Sequence, residues 1–275
     1  MIKQAVDIVF VIDASSGMRP FLDSLKVRLR EFLQQFRDDG TWSLRLGLLA
    51  HNAHFENGQW IYRNMCINGD RPENMRMLYG NDDDAKTSLF TRAGDGLVDV
   101  EGFCEGLDRI DCSGEKNSLL ALDCAADFPF RPLYSICRDP EYPKTTMVSS
   151  SYPIVIMFTN DKFESGVLKD VPIDRTLALL ERVMEKIGKR HIALYLFAPD
   201  SAAADLISEF SRTWVDFDHE LNRFGEILTS EKILSHISCW EDVWDPSDLD
   251  EWESEKDAYE KAVLGQDKWT DDRWA

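Results

Sequence analysis

Three short, oxygen-rich stretches carry the residue types that chemistry could use: Asp13-Ala14-Ser15-Ser16-Gly17-Met18, Cys112-Ser113-Gly114-Glu115 and Thr159-Asn160-Asp161. The first and last each close a run of apolar, largely β-branched residues, AVDIVFVID from Ala5 to Asp13 and PIVIMFT from Pro153 to Thr159. Such runs are the pattern of strands covered on both faces. In an open parallel sheet, ligands bind where the carboxyl ends of such strands meet loops and helix amino termini. Carboxylate, hydroxyl and water oxygens gathered there suit a hard divalent cation such as Mg²⁺, which takes octahedral oxygen ligation and keeps positions open.

Catalytic patterns were sought at the same stretches. No G-x-x-x-x-G-K-[ST] loop occurs, so the strand ending in Asp13 is not that of a nucleotide hydrolase. Ser15 and Ser16 lie in no G-x-S-x-G elbow, and the second acid of an aspartyl phosphotransferase is replaced by serine. The chain therefore reads as a non-enzyme. The competing reading is a Mg²⁺-dependent phosphoester hydrolase, or a subunit of an enzyme complex, built on Asp13 and Asp161 with Arg19, Lys116 and Lys162 as phosphate-binding cations. His51 and His54 form an H-x-x-H pair, but residues three apart on an extended chain face opposite sides and no third ligand accompanies them. They read as a strand-end loop. Asp82-Asp83-Asp84 lacks the alternate spacing of a calcium loop and reads as a solvated turn.

Positioning the three stretches takes a scaffold of alternating strands and helices. Met18 to Gly40 places Phe21, Leu22, Leu25, Leu29, Phe32, Leu33 and Phe36 at helical spacing, with Pro20 in the first turn, and Ser43 to Ala50 (SLRLGLLA) is the next strand. Asn52 to Asp95 is a polar, elaborated connection in which Trp60 to Met65 and Met75 to Tyr79 fit short strands. Helical order returns from Leu97 to Ile110 and again after Asn117, around the polar loop Asp111 to Asn117, and Pro129 to Tyr152 reads as irregular. Then Asp174 caps a helix with Leu177, Leu180, Val183, Met184 and Ile187 on its apolar face, Gly188 stops it, and His191 to Ala198 is a strand. A helix from Ser201 to Phe210, a strand from Trp214 to Phe217 and a helix near Glu231 to Ile237 complete the series. The expected fold is α/β, a doubly wound, mainly parallel central sheet flanked by helices.

These residues resemble a known family. VDIVFVIDASSGMRPFLDSLK, LRLGLLA, CSGEKNSLLALDCAA and IVIMFTND are similar to the first strand, turn and helix, the second strand, the second loop and helix, and the fourth strand of the von Willebrand factor A domain, with the bacterial and alpha-kinase-associated members resembled most. The resemblance runs from about Val6 to Phe217. It implies a Rossmann-like domain with a metal-ion-dependent adhesion site, at which a partner carboxylate completes the shell of a Mg²⁺. Carried over by position, Asp13 and Ser15 match the first two metal-binding residues, while the third hydroxyl falls at Gly17 with Ser16 where glycine is expected. The second loop offers Ser113 and Glu115 in place of a threonine, and Asn160 stands where an acid follows the strand, with Asp161 one step later. The implied set is Asp13, Ser15, Ser16, Ser113, Glu115, Asn160 and Asp161, in a partly degenerate site. The alternative is a vestigial site in which Asp13 accepts hydrogen bonds from the amides of its own turn.

Composition bounds the partners. The chain has 275 residues, 44% hydrophobic and 29% charged, enough for a sizeable core, with a formal net charge of −19. That charge repels phosphate backbones and anionic lipid and argues against nucleic acid and membrane. Six cysteines without a C-x-x-C pair read as reduced thiols, and with no apolar stretch of about 20 residues and no secretory leader the expected location is cytoplasmic. Composition shifts after residue 239, dividing the chain into an α/β domain, 1–239, and an acidic tail, 240–275. The tail holds five of the eight tryptophans and 13 acids against 4 bases. Trp252, Trp269 and Trp274 are its candidate partner anchors. The function expected is a non-catalytic protein–protein adaptor. The resemblance implies a stress-response or antiviral complex with a kinase, phosphatase or AAA+ ATPase as partner.

Overall fold

A computed structural model describes residues 4–39, 42–57, 59–67, 76–79, 100–128, 130, 134–138, 146–217, 229, 231–233 and 235. Strand β1 (Gln4–Asp13) is apolar from Val6 to Ile12 except at Asp7, and its alternate side chains enter two separate cores. On one face Val6, Ile8, Phe10 and Ile12 meet α1 (Arg19–Asp39) and α2 (Val100–Asp108) through Leu25, Leu29, Phe32, Phe103 and Leu107. On the other, Val9 and Val11 share a core with α3 (Ser118–Ala126), α4 (Ile173–Lys189) and α5 (Ala202–Ser208) through Leu122, Leu180, Met184 and Ile207. Asp7, only 1% exposed, is tolerated because Arg45 stands opposite it in register and gives it a two-point pair at 3.0 and 2.8 Å.

The remaining strands are β2 (Trp42–Glu56), β3 (Gln59–Ile67), β4 (Arg76–Tyr79), β5 (Tyr134–Arg138), β6 (Thr146–Phe158), β7 (Ala193–Phe197) and β8 (Thr213–Asp216). They form one sheet in the order β4-β3-β2-β1-β6-β7-β8, with β5 paired to β6. The five central strands β2-β1-β6-β7-β8 all pair in parallel, whereas β3, β4 and β5 are antiparallel additions. With helices on both faces, this is the α/β, Rossmann-like architecture expected. From β1 the chain passes through α1 to β2 on one side, while from β6 it passes through α4 and α5 to β7 and β8 on the other. The winding reverses between β1 and β6, which opens a crevice at their carboxyl ends.

Several local expectations are corrected. Pro129 to Tyr152 is not irregular throughout, since β5 pairs with the first half of β6 over Tyr134–Arg138 and Thr146–Ser150. The second strand does not stop at Ala50. It continues to Glu56 and pairs antiparallel with β3, so His51 and His54 lie within a strand rather than a loop. Pro172, not Asp174, is the N-cap of α4, and Asp174 sits in its first turn, where a carboxylate favours the helix amino terminus. Gly188 lies inside α4, and the chain turns instead at His191, whose φ is 53°. The helix near Glu231 is described only at residues 231–233 and 235. The Asp82-Asp83-Asp84 run, the boundary after residue 239 and the tail with Trp252, Trp269 and Trp274 lie outside the described residues. Among the described residues no helix is long and apolar enough to cross a membrane.

Phe10 is the pivot of the first core, its ring centroid 4.9 Å from Phe103 and 6.2 Å from Phe32. Truncation there removes a fully buried ring from between two others. Phe10→Ala is expected to lower unfolding free energy by about 3–5 kcal/mol, measured by urea denaturation.

Candidate functional site

The β1–β6 register sets the site. Ile12 pairs with Phe158, so Asp13 and Thr159 leave the sheet side by side. The Thr159 hydroxyl donates to Asp13 Oδ2 at 3.0 Å, and the Ser15 amide donates to Asp13 Oδ1 at 2.8 Å. Both carboxylate oxygens of the buried Asp13 are thus engaged, one by its own turn, which opens the short 3₁₀ turn Ser16–Met18 ahead of α1.

Backbone contacts bring the second loop against this turn. Ser113 N donates to Ala14 O at 2.8 Å and Ser16 N to Gly114 O at 3.0 Å, while Ala53 and Glu115 exchange bonds of 2.7 and 2.8 Å. Gly114 has φ of 68°, and a Cβ there would lie 2.3 Å from Ala53 O, so the close approach of loop and strand requires glycine. The third turn joins through Asn160, whose Nδ2 donates to Gly17 O at 2.8 Å. Three turns far apart in sequence therefore meet over one rim.

Their side chains have separate partners. Ser113 Oγ accepts from Asn52 Nδ2 at 3.3 Å and lies 3.4 Å from His54 Nε2. Ser16 and Glu115 are exposed. The Asp161 carboxylate accepts from Lys162 N at 2.7 Å and Ser165 Oγ at 2.6 Å, binding back onto its own turn. Burial works to raise the Asp161 pKa, but the Ser165 hydroxyl, the Lys116 ammonium and the Lys162 amide outweigh it and hold it below the usual carboxylate range.

The expected ligand set omits the two residues that tie the site together, Thr159 and Lys116. Lys116 is 2% exposed, and its Nζ donates to Thr159 Oγ1 at 3.4 Å and to the Lys162 carbonyl. Burial pulls its pKa down to about 8, opposed by the charges of Asp13, Asp161 and Glu164. Its backbone is held as well: Val167 N donates to Lys116 O at 3.2 Å, and Gly166, at φ of 69°, passes so close that a Cβ would lie 2.5 Å from that oxygen. Beside it His51 is fully buried within β2, its Nδ1 accepting from Asn117 N at 3.4 Å, and burial lowers its pKa to about 4.

The rim opens into a cavity of about 810 Å³ lined by Ser16, His54, Phe55, Glu115, Asp161 and Lys169 among others. Several features of this donor set tell against Mg²⁺. The Asp13 and Asp161 carboxylates already accept from Ser15 N, Thr159 Oγ1, Lys162 N and Ser165 Oγ, Asn160 presents its amide nitrogen to Gly17, and the Lys116 ammonium lies beside Thr159. A divalent ion placed beside that ammonium would be repelled by it. Among the described residues no three His, Cys, Asp or Glu side chains converge as a metal cluster. Among the described residues Cys104, Cys112 and Cys124 form no disulfide.

No protein-family model matches the chain, and no curated protein matches it. Among solved structures it is similar to proximal thread matrix protein 1 from the mussel byssus, with TM-score 0.44 and 11% identity over 82% of this chain and 47% of that one. It is similar also to the human COPII-coat protein Sec24c, with TM-score 0.47 and 12% identity over 82% of this chain and 31% of that one. A third is the pilus adhesin SpaC of Lactobacillus rhamnosus GG in its open conformation, with TM-score 0.42 and 12% identity over 82% of this chain and 30% of that one. The chain spans less than half the length of each.

The pKa of His51 is depressed in the folded chain, so the unfolded chain takes up the proton first and the contribution of His51, intact above pH 6.5, is lost as pH falls toward 4. Denaturant titrations across that range should show a loss of about 3 kcal/mol from this group, which His51→Gln removes. Gly114→Ala should lower the melting temperature by several degrees, because the added methyl meets Ala53 O in a conformation L residues rarely adopt.

Proposed function

We propose that this chain is a non-catalytic protein-interaction module, an adaptor that docks a partner on its strand-end rim. The observation that carries the reading is the cavity at the crevice between β1 and β6, walled by polar loop ends and edged by Phe55, which is 63% exposed and suited to anchor a partner. The parallel central strands accord with the von Willebrand factor A resemblance, in which this end of the sheet is the binding end.

That resemblance implies a metal and a partner carboxylate. Here the charges favour the opposite sign. With Lys116 engaged by Thr159 and facing Asp13, the open wall offers Glu115, Asp161 and Asp170 against Lys169, in a chain of net charge −19. A basic partner surface is attracted to such a rim and steered onto it. A kinase, phosphatase or AAA+ ATPase of a stress-response or antiviral complex is the partner class to examine first.

The test is crosslinking of the wild-type chain to identify the partner, followed by affinity measurements. Reversing Glu115 and Asp170 to lysine together should weaken binding at least about tenfold with the melting temperature retained, and added salt should weaken the wild type. Truncation after Ser238 should leave binding intact. Binding that survives the reversal and disappears on truncation would assign the function to the acidic tail with Trp252, Trp269 and Trp274 instead.

A further inference from the structure

The ammonium of Lys116 occupies a position that calls for explanation. A lysine head is almost never fully buried unless it is paired, yet Lys116 is 2% exposed at the junction of three loops. Its surroundings are built to receive a cation. Thr159 Oγ1, 3.4 Å from Nζ, has Asp13 Oδ2 at 3.0 Å and Asp161 O at 3.2 Å as acceptors for its own proton and in either case presents a lone pair to the ammonium, and the Lys162 carbonyl accepts a second N–H. The carboxylates of Asp13, Asp161 and Glu164 all act on it attractively. Gly166 passes across the Lys116 carbonyl and close to its Cγ, which holds the backbone from which the side chain projects and confines the start of its stem.

We propose that the Lys116 ammonium is a covalently tethered cation that takes the place of a divalent ion at this strand-end site, joining the turns of Asp13 and Thr159-Asp161 so that the rim assembles without metal. The chemistry is direct. Asp13 needs a positive charge once it is buried, and Lys116 supplies one through Thr159 from the second loop. The site stays closed to Mg²⁺ because its cation is part of the chain. The inference stands whether or not the rim is the docking surface, since it concerns how the rim is held.

The test uses the full chain and its melting temperature. Wild type should melt at the same temperature in 10 mM MgCl₂, in 1 mM MnCl₂ and in EDTA, at matched ionic strength; a saturable rise with either metal that EDTA reverses would overturn the proposal. Lys116→Met and Asp13→Asn should each lower the melting temperature, on the order of 10 °C, by leaving one buried charge uncompensated. The double variant should lose clearly less than the two losses combined, because it removes both charges. Losses that simply add would overturn it. Should Lys116→Met not fold, recovery of cooperative melting in the double variant reads the same coupling, and a double variant that stays unfolded while Asp13→Asn folds overturns the proposal.

Discussion

The adjacency of β1 and β6 is the constraint on which the rest of the molecule depends. Because the winding reverses between them, the connections that follow β1 and β6 leave toward opposite edges of the sheet, and the residues that follow Ile12 and Phe158 are left side by side at an open edge. Asp13 and Thr159 can hydrogen-bond only in that register; one residue of slip would turn each to the other face of the sheet. The register in turn is held by the two cores that the alternate residues of β1 fill, so the geometry of the rim rests on packing well below it. The loops add the rest, through backbone bonds that need Gly114 and Gly166 in conformations other residues strain to adopt.

Much of this architecture was legible in the chain. Ala5 to Asp13 and Pro153 to Thr159 read as buried strands because β-branched runs ending abruptly in polar residues have few other uses, and the apolar spacing of α1 and α4 is plain. The first half of β6 and all of β5 were not legible, since TMVSSS and YSICR mix polar and apolar residues without period and take their order from pairing with each other. The extension of β2 past Ala50 was hidden for the same reason: its partner is β3, and nothing in His51-Asn52-Ala53-His54 itself announces a strand.

At the site, the acids were easier to read than the cation. Asp13 announces itself by ending a hydrophobic strand, whereas Lys116 is one basic residue among loop residues and carries no periodic signature of burial. Its depth comes from tertiary structure, from Gly166 and Val167 passing over its carbonyl and from Thr159 arriving on another strand. The nearest signal in the sequence is indirect. An oxygen-rich cluster with Gly17 and Asn160 at two of its positions is poor in anionic ligands, and a buried aspartate within it calls for a positive charge close by.

An ammonium and a divalent ion are not equivalent, and the difference decides what such a rim can do. Mg²⁺ brings two charges and open coordination positions, so an incoming carboxylate can become a ligand. The Lys116 head brings one charge, is almost wholly enclosed, and has donors already committed to Thr159 and Lys162. One positive charge among Asp13, Asp161 and Glu164 leaves the neighbourhood acidic, where a metal would have left it nearer neutral. A partner docked at this edge, as proposed, would draw its binding energy from the walls, from Phe55 and the exposed charges around it, and not from a bond made at the centre. Under the proposed role of Lys116, an acid in a partner would meet repulsion there, while a lysine or arginine would meet an acidic wall beside an apolar side chain, so a tethered cation in place of a free one would reverse the sign of the partner such a rim can select.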